Sequence, residues 1–320
     1  MKAMAQIAYG PPEVIVPQEL PKPSPGNKEV LIRVRAAAVG PSDCAFRKGD
    51  PPAIKLIYGF SRPKFAVGGC ELAGVVEAVG TEVKRIKPGD RVLGMSVNNF
   101  GAYAEYKCLS EEGPLAVIPD SISYEEAVGV CDGGATALTF LRDKAKLRKG
   151  QKVLINGASG AVGIYAVQLA KFYGAEVTGV CSAGNAGLVR TAGADYVIDY
   201  TQEDFTMADK TYDVVFDAVG KRTFSSCKRV LTAKGIYLTT TPKLSIVTQM
   251  LWTSLFQGKR AIFATAGLMQ NKANLAFLME LTKTGVLNAV IDRRYPLELL
   301  PDAHKYVETE RKKGNVIITL

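Results

Sequence analysis

The sequence predicts an α/β chain in which a doubly wound parallel sheet follows a small, partly closed β-barrel. Three observations carry that expectation. Residues 1–120 hold short, near-alternating apolar runs punctuated by Gly, Pro and Asn, the pattern of short strands and turns. From Ser123 onward, β-branched runs alternate with helical stretches, as parallel strands joined by crossover helices do. Within that half, residues 152–171 read as a buried strand, a tight glycine turn and a helix with apolar residues at helical spacing.

In chain order, strands are expected at 30–39, 72–80, 89–94 and 102–107. Ser123 followed by Glu126 is a capping box and opens a helix. Parallel strands are expected at 152–155, 177–181, 196–199, 213–216, 235–240 and 260–265. A helix at 271–284, a turn at Tyr295-Pro296, a helix through 303–308 and a last strand at 316–320 complete the chain. The expected domains are 1–120, 121–268 and a C-terminal return, 269–320, to the first.

The 320 residues are 47% apolar and 22% charged, an ordinary globular composition. Forty Lys and Arg against 31 Asp and Glu give +9, but the cations are scattered, and the densest group, Glu310-Arg-Lys-Lys313, is short and headed by an acid. Nucleic-acid binding is therefore not expected. Cysteines at 44, 70, 108, 131, 181 and 227 show no C-x-x-C pair, which argues against disulfides and thiolate zinc clusters and for a reducing compartment. The N-terminus has no signal-peptide pattern, and the apolar run 244–256 is too short to span a bilayer, so a cytoplasmic protein without a transmembrane segment is expected. One histidine, His304, excludes a two-histidine metal site within the chain; it is expected on a surface helix.

The glycine turn, 157–163, aims backbone N–H groups and a helix N-terminus at one point, the arrangement of a diphosphate site. The strand that follows it ends where a dinucleotide-binding unit reads the ribose.

Further segments extend this pattern: Gly40-Pro-Ser-Asp43 with Arg47-Lys-Gly49, Gly69-Cys-Glu-Leu-Ala-Gly74, Pro88-Gly-Asp-Arg-Val92 and Gly101-Ala-Tyr-Ala-Glu105. Ala192-Gly-Ala-Asp195, Asp213-Val-Val-Phe-Asp217 and Ile291-Asp-Arg-Arg-Tyr-Pro-Leu297 continue it. In this order they resemble the zinc-independent, zeta-crystallin-like quinone oxidoreductases of the medium-chain dehydrogenase/reductase superfamily. The resemblance covers nearly the whole chain and implies a GroES-like catalytic domain split around a Rossmann NAD(P)-binding domain.

It also places the A-x-G-x-x-G turn on Ala158, Gly160 and Gly163, with Ser159, Gly160, Ala161, Val162 and Gly163 against the pyrophosphate. The second strand ends in Cys181 where NAD binders carry Asp or Glu, so NADPH is expected, with NADH as an alternative. The resemblance implies Ser182 and Tyr200 as 2′-phosphate contacts and Asn185 in the same loop. Relatives often have Arg or Lys at Gly184 or Asn185, so charge pairing here falls to Arg190, to another cation or to none. Gly40, Thr136, Thr239, Thr240 and Asn315 complete the implied cofactor contacts, Gly40 standing where relatives usually have Asn.

The zinc-ligand positions of zinc-dependent relatives fall on Gly40, Cys70 and Asp132; Gly40 has no donor, so no metal is expected. Hydride transfer to a quinone or an α,β-unsaturated carbonyl needs less electrophilic help than alcohol chemistry and is the implied reaction. Pocket candidates are Ser42, Phe46 and Tyr58, with no catalytic residue assigned and Asp43 read as a structural acceptor. The alternatives are a non-catalytic NADPH-binding protein, structural or RNA-binding, and a zinc-type alcohol dehydrogenase. A homodimer through the sheet edge near 260–265 is implied. Residues 244–256 are expected to form a lid or dimer contact, with a membrane-surface contact as a third reading.

Overall fold

The computed structural model describes residues 1–320, the side chains of Ile57 and Leu268 excepted. The chain forms two compact units, Met1–Asp132 with Gln270–Leu320, and Gly133–Met269. It begins with β1 (Lys2–Gln6), β2 (Ile15–Glu19), β3 (Glu29–Val39), helices α1 (Pro41–Lys48) and α2 (Ala53–Tyr58), then β4 (Glu71–Val79), β5 (Arg91–Met95), β6 (Tyr106–Ser110) and β7 (Leu115–Val117). Next come α3 (Tyr124–Leu138), β8 (Lys152–Asn156), α4 (Ala161–Phe172), β9 (Glu176–Cys181), α5 (Ala186–Thr191), β10 (Tyr196–Asp199) and β11 (Tyr212–Asp217). α6 (Phe224–Cys227), β12 (Leu231–Thr239), α7 (Leu244–Ser254), β13 (Arg260–Phe263), α8 (Lys272–Lys283), β14 (Ile291–Pro296), α9 (Leu300–Glu308) and β15 (Asn315–Thr319) complete it.

In the first unit the sheet order is β14-β15-β3-β4-β5-β7, with β6 paired to β3. β3 is the spine: eleven residues, buried along most of their length, with antiparallel partners on both sides. The C-terminal strand β15 pairs with β3 from Val316↔Val39 onward, which ties the chain's end to its beginning. Val30, Ile32, Leu72, Val92 and Val316 meet Leu300 and Val307 of α9 in one apolar core.

The second unit is a six-stranded sheet in the order β10-β9-β8-β11-β12-β13, every pair parallel. That is the 3-2-1-4-5-6 order of a dinucleotide-binding doubly wound sheet, and its order reverses between β8 and β11. The strands are rich in Val, Ile and Leu because helices cover the faces of such a sheet.

At the reversal point a buried carboxylate holds two strands and a loop together. Asp217, 0% exposed, accepts from the Asn156 side chain at 2.9 Å and from the Gly220 and Arg222 backbone N–H groups at 3.0 and 2.8 Å. The Tyr237 hydroxyl donates at 3.1 Å to Oδ2, the oxygen that also accepts the Arg222 N–H.

Three expectations change. The strand expected at 102–107 is displaced to Tyr106–Ser110, because Tyr103 turns inward, buried, and donates its hydroxyl to the Ala38 carbonyl at 3.0 Å. His304 is 2% exposed instead of at the surface, since α9 turns that side toward Cys44. α2, between Ala53 and Tyr58, went unanticipated. The capping box at Ser123 is present, with Glu126 N–H donating to Ser123 Oγ at 3.1 Å and Ser123 N–H to Glu126 at 2.8 Å. No helix among the described residues is long and apolar enough to cross a membrane.

Replacing Asp217 with Ala strands several buried donors at once, and the expected loss is about 3 kcal/mol of unfolding free energy. Denaturant unfolding measures it; a loss below about 1 kcal/mol would show that the carboxylate does not hold the reversal point.

Candidate functional site

The glycine turn leaves β8 at Asn156. Gly157 takes φ +81°, and its N–H and that of Ala158 both donate to the Val180 carbonyl at 3.0 Å, binding the turn to β9. The first i→i−4 bond of α4 runs from Ile164 N–H to Gly160 at 2.9 Å, so the N–H groups of Ala161, Val162 and Gly163 precede the helical ladder. With the helix dipole they present partial positive charge to an anion.

The glycines differ in what requires them. A Cβ at Gly163 would lie 2.1 Å from the Gly157 carbonyl oxygen, and one at Gly157 would lie 2.1 Å from Val219 Cγ2. Backbone packing demands glycine at 163, and the positive φ demands it at 157. At Gly160, φ is −80° and a Cβ would rest 3.4 Å from the same carbonyl, an ordinary contact. The fold does not need glycine there, whereas close approach of a diphosphate does.

The residues expected at the ribose lie at the end of β9. Asn185 donates its side-chain amide to Ser159 Oγ at 3.2 Å and its backbone N–H to the Ser182 carbonyl at 2.9 Å, so these three lie together. Tyr200 N–H donates to the Cys181 carbonyl at 3.2 Å, and its ring is exposed. Sequence reasoning passed over Asp199, which the parallel register sets level with Cys181. Its Oδ1 already accepts from the Thr201 N–H and hydroxyl at 3.0 and 2.9 Å. Burial pushes the Cys181 thiol pKa up; Asp199 adds to the rise and Arg190 opposes it, so both charges act at this strand end.

Thr239, buried, ends β12 opposite Asp217, and Thr240 follows it. The Thr241 N–H donates to Thr239 Oγ1 at 3.3 Å. Thr136 is buried in the part of α3 that belongs to this unit, one turn beyond Gly133, which packs directly over Ala161.

The other candidates lie in the first unit. Gly40 caps α1 and donates its N–H to Asp43 Oδ2 at 2.8 Å. Ser42 is exposed on the first turn of α1 and does not line the cavity beneath it. Phe46 and Tyr58 meet edge to face at 5.0 Å, joined by two rings the sequence did not single out, Phe100 at 4.8 Å from Phe46 and Phe65 at 5.8 Å from Phe100. Asn315 is buried in β15, its amide donating to the Val290 carbonyl at 3.2 Å.

The rings roof a cavity of about 40 Å³ whose wall includes Asp43, Arg47 and His304. Asp43 Oδ1, Arg47 Nε and His304 Nε2 are buried there with no hydrogen-bond partner among the described residues. Burial pushes the Asp43 carboxyl up to about 7, against the Gly40 N–H and with the help of Asp132. Burial, aided by Arg47, lowers His304 to about 3, and its Nδ1 lies 3.4 Å from Cys44 Sγ. Arg47 is held by Glu308 and by the Gly10 carbonyl at 3.0 Å.

Zinc does not fit the donors present. Gly40 offers no side chain, and no group of three His, Cys, Asp or Glu among the described residues is placed to hold a metal ion.

Comparison with known proteins decides the family. Residues 26–136 match the alcohol dehydrogenase GroES-like domain, and residues 192–318 match the zinc-binding dehydrogenase family. The quinone oxidoreductase of Pseudomonas aeruginosa is 33% identical, over 97% of this chain and 97% of that protein. The chain belongs to the zinc-independent quinone oxidoreductase family of the medium-chain dehydrogenases/reductases. It is an oxidoreductase of the nicotinamide-dependent type, with a GroES-like N-terminal domain and a Rossmann sheet. Within this quinone oxidoreductase family, the structure of the Coxiella burnetii quinone oxidoreductase matches with a TM-score of 0.90 at 28% identity, covering 100% of this chain and 99% of that one. The NADPH-dependent alkenal/one oxidoreductase of Arabidopsis thaliana chloroplasts is 32% identical, over 99% of this chain and 79% of that protein.

Three outcomes follow from these residues. Gly160→Ala is expected to leave the melting temperature nearly unchanged and to weaken dinucleotide binding at least about tenfold, about 1.4 kcal/mol. Gly163→Ala is expected to lower the melting temperature through overlap with the Gly157 carbonyl. Calorimetric melting and cofactor titration read the two effects separately. For Asp43, the unfolded carboxyl ionises near pH 3.9, while the folded one keeps its proton to about 7. The folded state therefore binds the extra proton, and Asp43's contribution to stability falls as pH rises across that window. Asp43→Asn, which keeps an acceptor for Gly40, is expected to gain roughly 2–3 kcal/mol relative to the native chain between pH 5 and pH 8. Unfolding curves at the two pH values check it.

Proposed function

We propose that this chain reduces quinones or α,β-unsaturated carbonyl compounds with NADPH, as a cytoplasmic homodimer. The observation that carries the reading is Gly160: backbone left bare where the fold tolerates a side chain, at the start of a helix and at the reversal point of a Rossmann sheet. Related proteins named as quinone oxidoreductases and as an NADPH-dependent alkenal/one oxidoreductase support the acceptor class.

The backbone of Ser159, Gly160, Ala161, Val162 and Gly163 lines the diphosphate, which takes the N–H groups of Ala161, Val162 and Gly163 ahead of the α4 ladder, while the Gly160 N–H is held by the Gly157 carbonyl at 3.0 Å. Ser182, Asn185 and Tyr200 surround the adenosine ribose, and Arg190 supplies the cation for a 2′-phosphate. Asp199 works against that phosphate, so NADH is accepted more weakly rather than refused. Thr136, Thr239 and Thr240 position the nicotinamide end, and Gly40 and Asn315 complete the contacts. The bound nicotinamide supplies a hydride. Phe46, Tyr58 and Phe100 offer a flat acceptor an apolar aromatic face, and the oxygen that gains charge takes its proton from water. Dimerisation uses the open edge of β13. The domain roles follow the same reading: residues 121–268 hold most of the cofactor, and residues 1–120 and 269–320 bind the acceptor and contribute Gly40 and Asn315 to the cofactor.

The test is NADPH consumption against a panel of quinones and enones. The expected result is turnover with at least one conjugated acceptor, none with simple alcohols or ketones, and no loss of activity after chelation. Tight NADPH binding with no turnover of any conjugated acceptor would overturn the catalytic reading and leave a binding protein.

A further inference from the structure

α7 turns its apolar side to solvent. Leu244, Val247, Leu251, Trp252 and Leu255 are exposed, Leu244 and Leu255 by 83% and 75%, and Phe256 just beyond the helix joins them. Positions 244, 247, 251 and 255 form one stripe along the helix, and the Trp252 and Phe256 rings stand beside it with centroids 5.1 Å apart. The inward side is less apolar: it buries Ile246 and Thr253, the latter accepting the Ala261 N–H at 3.1 Å. A surface helix that serves only its own core is arranged the other way round.

The stretch of chain that contains α7 carries charge of a single sign. From Ala218 to Met269 the chain contains eight Lys and Arg and no Asp or Glu, against a net charge of +9 for all 320 residues. Arg222 and Arg229 pair with Asp204 and Asp209. Lys228, Lys243, Lys259 and Arg260 form no ion pair among the described residues. Lys243 immediately precedes α7, and Lys259 follows it, reaching the Lys228 carbonyl at 2.6 Å. Cations therefore stand at both ends of the apolar stripe.

A second copy seated on the α7 face is the weaker occupant, because an isologous contact there would join one patch flanked by Lys243 and Lys259 to another and offer neither an acid. An anionic surface with an apolar interior complements both features. At 11 residues α7 is too short to span a bilayer but long enough to lie in its plane. We propose that α7 docks this chain on the surface of an anionic lipid bilayer, its Leu, Trp and Phe side chains at the acyl boundary and its flanking cations among the headgroups. The proposal does not depend on the redox reading.

Trp252 is the only tryptophan in the chain, so its emission reports this face alone. The expected result is a blue shift and co-sedimentation with vesicles of phosphatidylcholine and phosphatidylglycerol, at least about tenfold weaker with phosphatidylcholine alone or in molar salt. Leu251→Ser with Leu255→Ser, both at exposed positions, is expected to abolish both signals without lowering the melting temperature. Lys228→Gln with Lys259→Gln is expected to raise the anionic-lipid requirement. Absence of the shift, equal binding to neutral vesicles, or a blue shift that grows with protein concentration in the absence of lipid would each overturn the proposal. The last would assign the face to a second copy.

Discussion

Where α4 leaves β8, the Gly157 carbonyl and the Gly163 backbone approach so closely that a single methyl group would sit 2.1 Å from the oxygen. That contact sets the start of the helix hard against the end of the strand, and much of the second unit depends on it. It fixes which N–H groups precede the helical ladder and directs them past the end of the sheet. The turn is pinned from the other side by two bonds to the Val180 carbonyl, so β9 arrives with its own end beside the turn. Asn185 can then reach Ser159, and Tyr200 can reach Cys181, only because the strands are held in this register.

The first unit is organised by a different constraint. Its core buries Asp43, Arg47 and His304 around one small cavity, which apolar packing alone would not favour. Arg47 is compensated by Glu308 and the Gly10 carbonyl, and Asp43 by the Gly40 N–H. His304 is kept neutral, so as pH falls from about 6.5 toward about 3 the unfolded chain gains a proton that the folded chain refuses. Asp43 acts in the opposite sense as pH rises toward 7. The two buried groups leave this unit most stable between those limits. Stability spent in this way places a fixed polar floor under the Phe46, Tyr58 and Phe100 rings.

The parallel sheet was legible because its central strands β8, β9 and β11 are buried nearly throughout and so read as continuous apolar, β-branched runs, with glycine and capping residues marking the joints. The capping box at Ser123 is likewise written in adjacent residues. What could not be read depends on partners far apart in the chain. The burial of His304 follows from Cys44, 260 positions away, whereas its own helix has the polar–apolar spacing of any surface helix. Phe65 and Phe100 sit in loops, where nothing local marks them as neighbours of Phe46. Asp199 was hidden for a subtler reason: in a parallel sheet the residue level with Cys181 comes from the next strand, 18 positions on, and only register reveals it.

Charge shows the same division between what composition counts and what folding arranges. Along the sequence the basic residues are dispersed rather than gathered into arms or stripes, which is why no nucleic-acid groove is expected from them. The informative quantity is where acids are missing. The acid-free stretch from Ala218 to Met269 contributes no carboxylate to offset its eight cations, and the fold uses it to build α6, β12, α7 and β13 side by side in one part of one unit. The one helix there with an apolar outer side is thus also the one whose flanking cations lack ion-pair partners among the described residues. An apolar patch alone would fit many partners, and a basic patch alone would fit many anions. Their coincidence on α7 selects a partner that is charged at its surface and oily a few ångströms below.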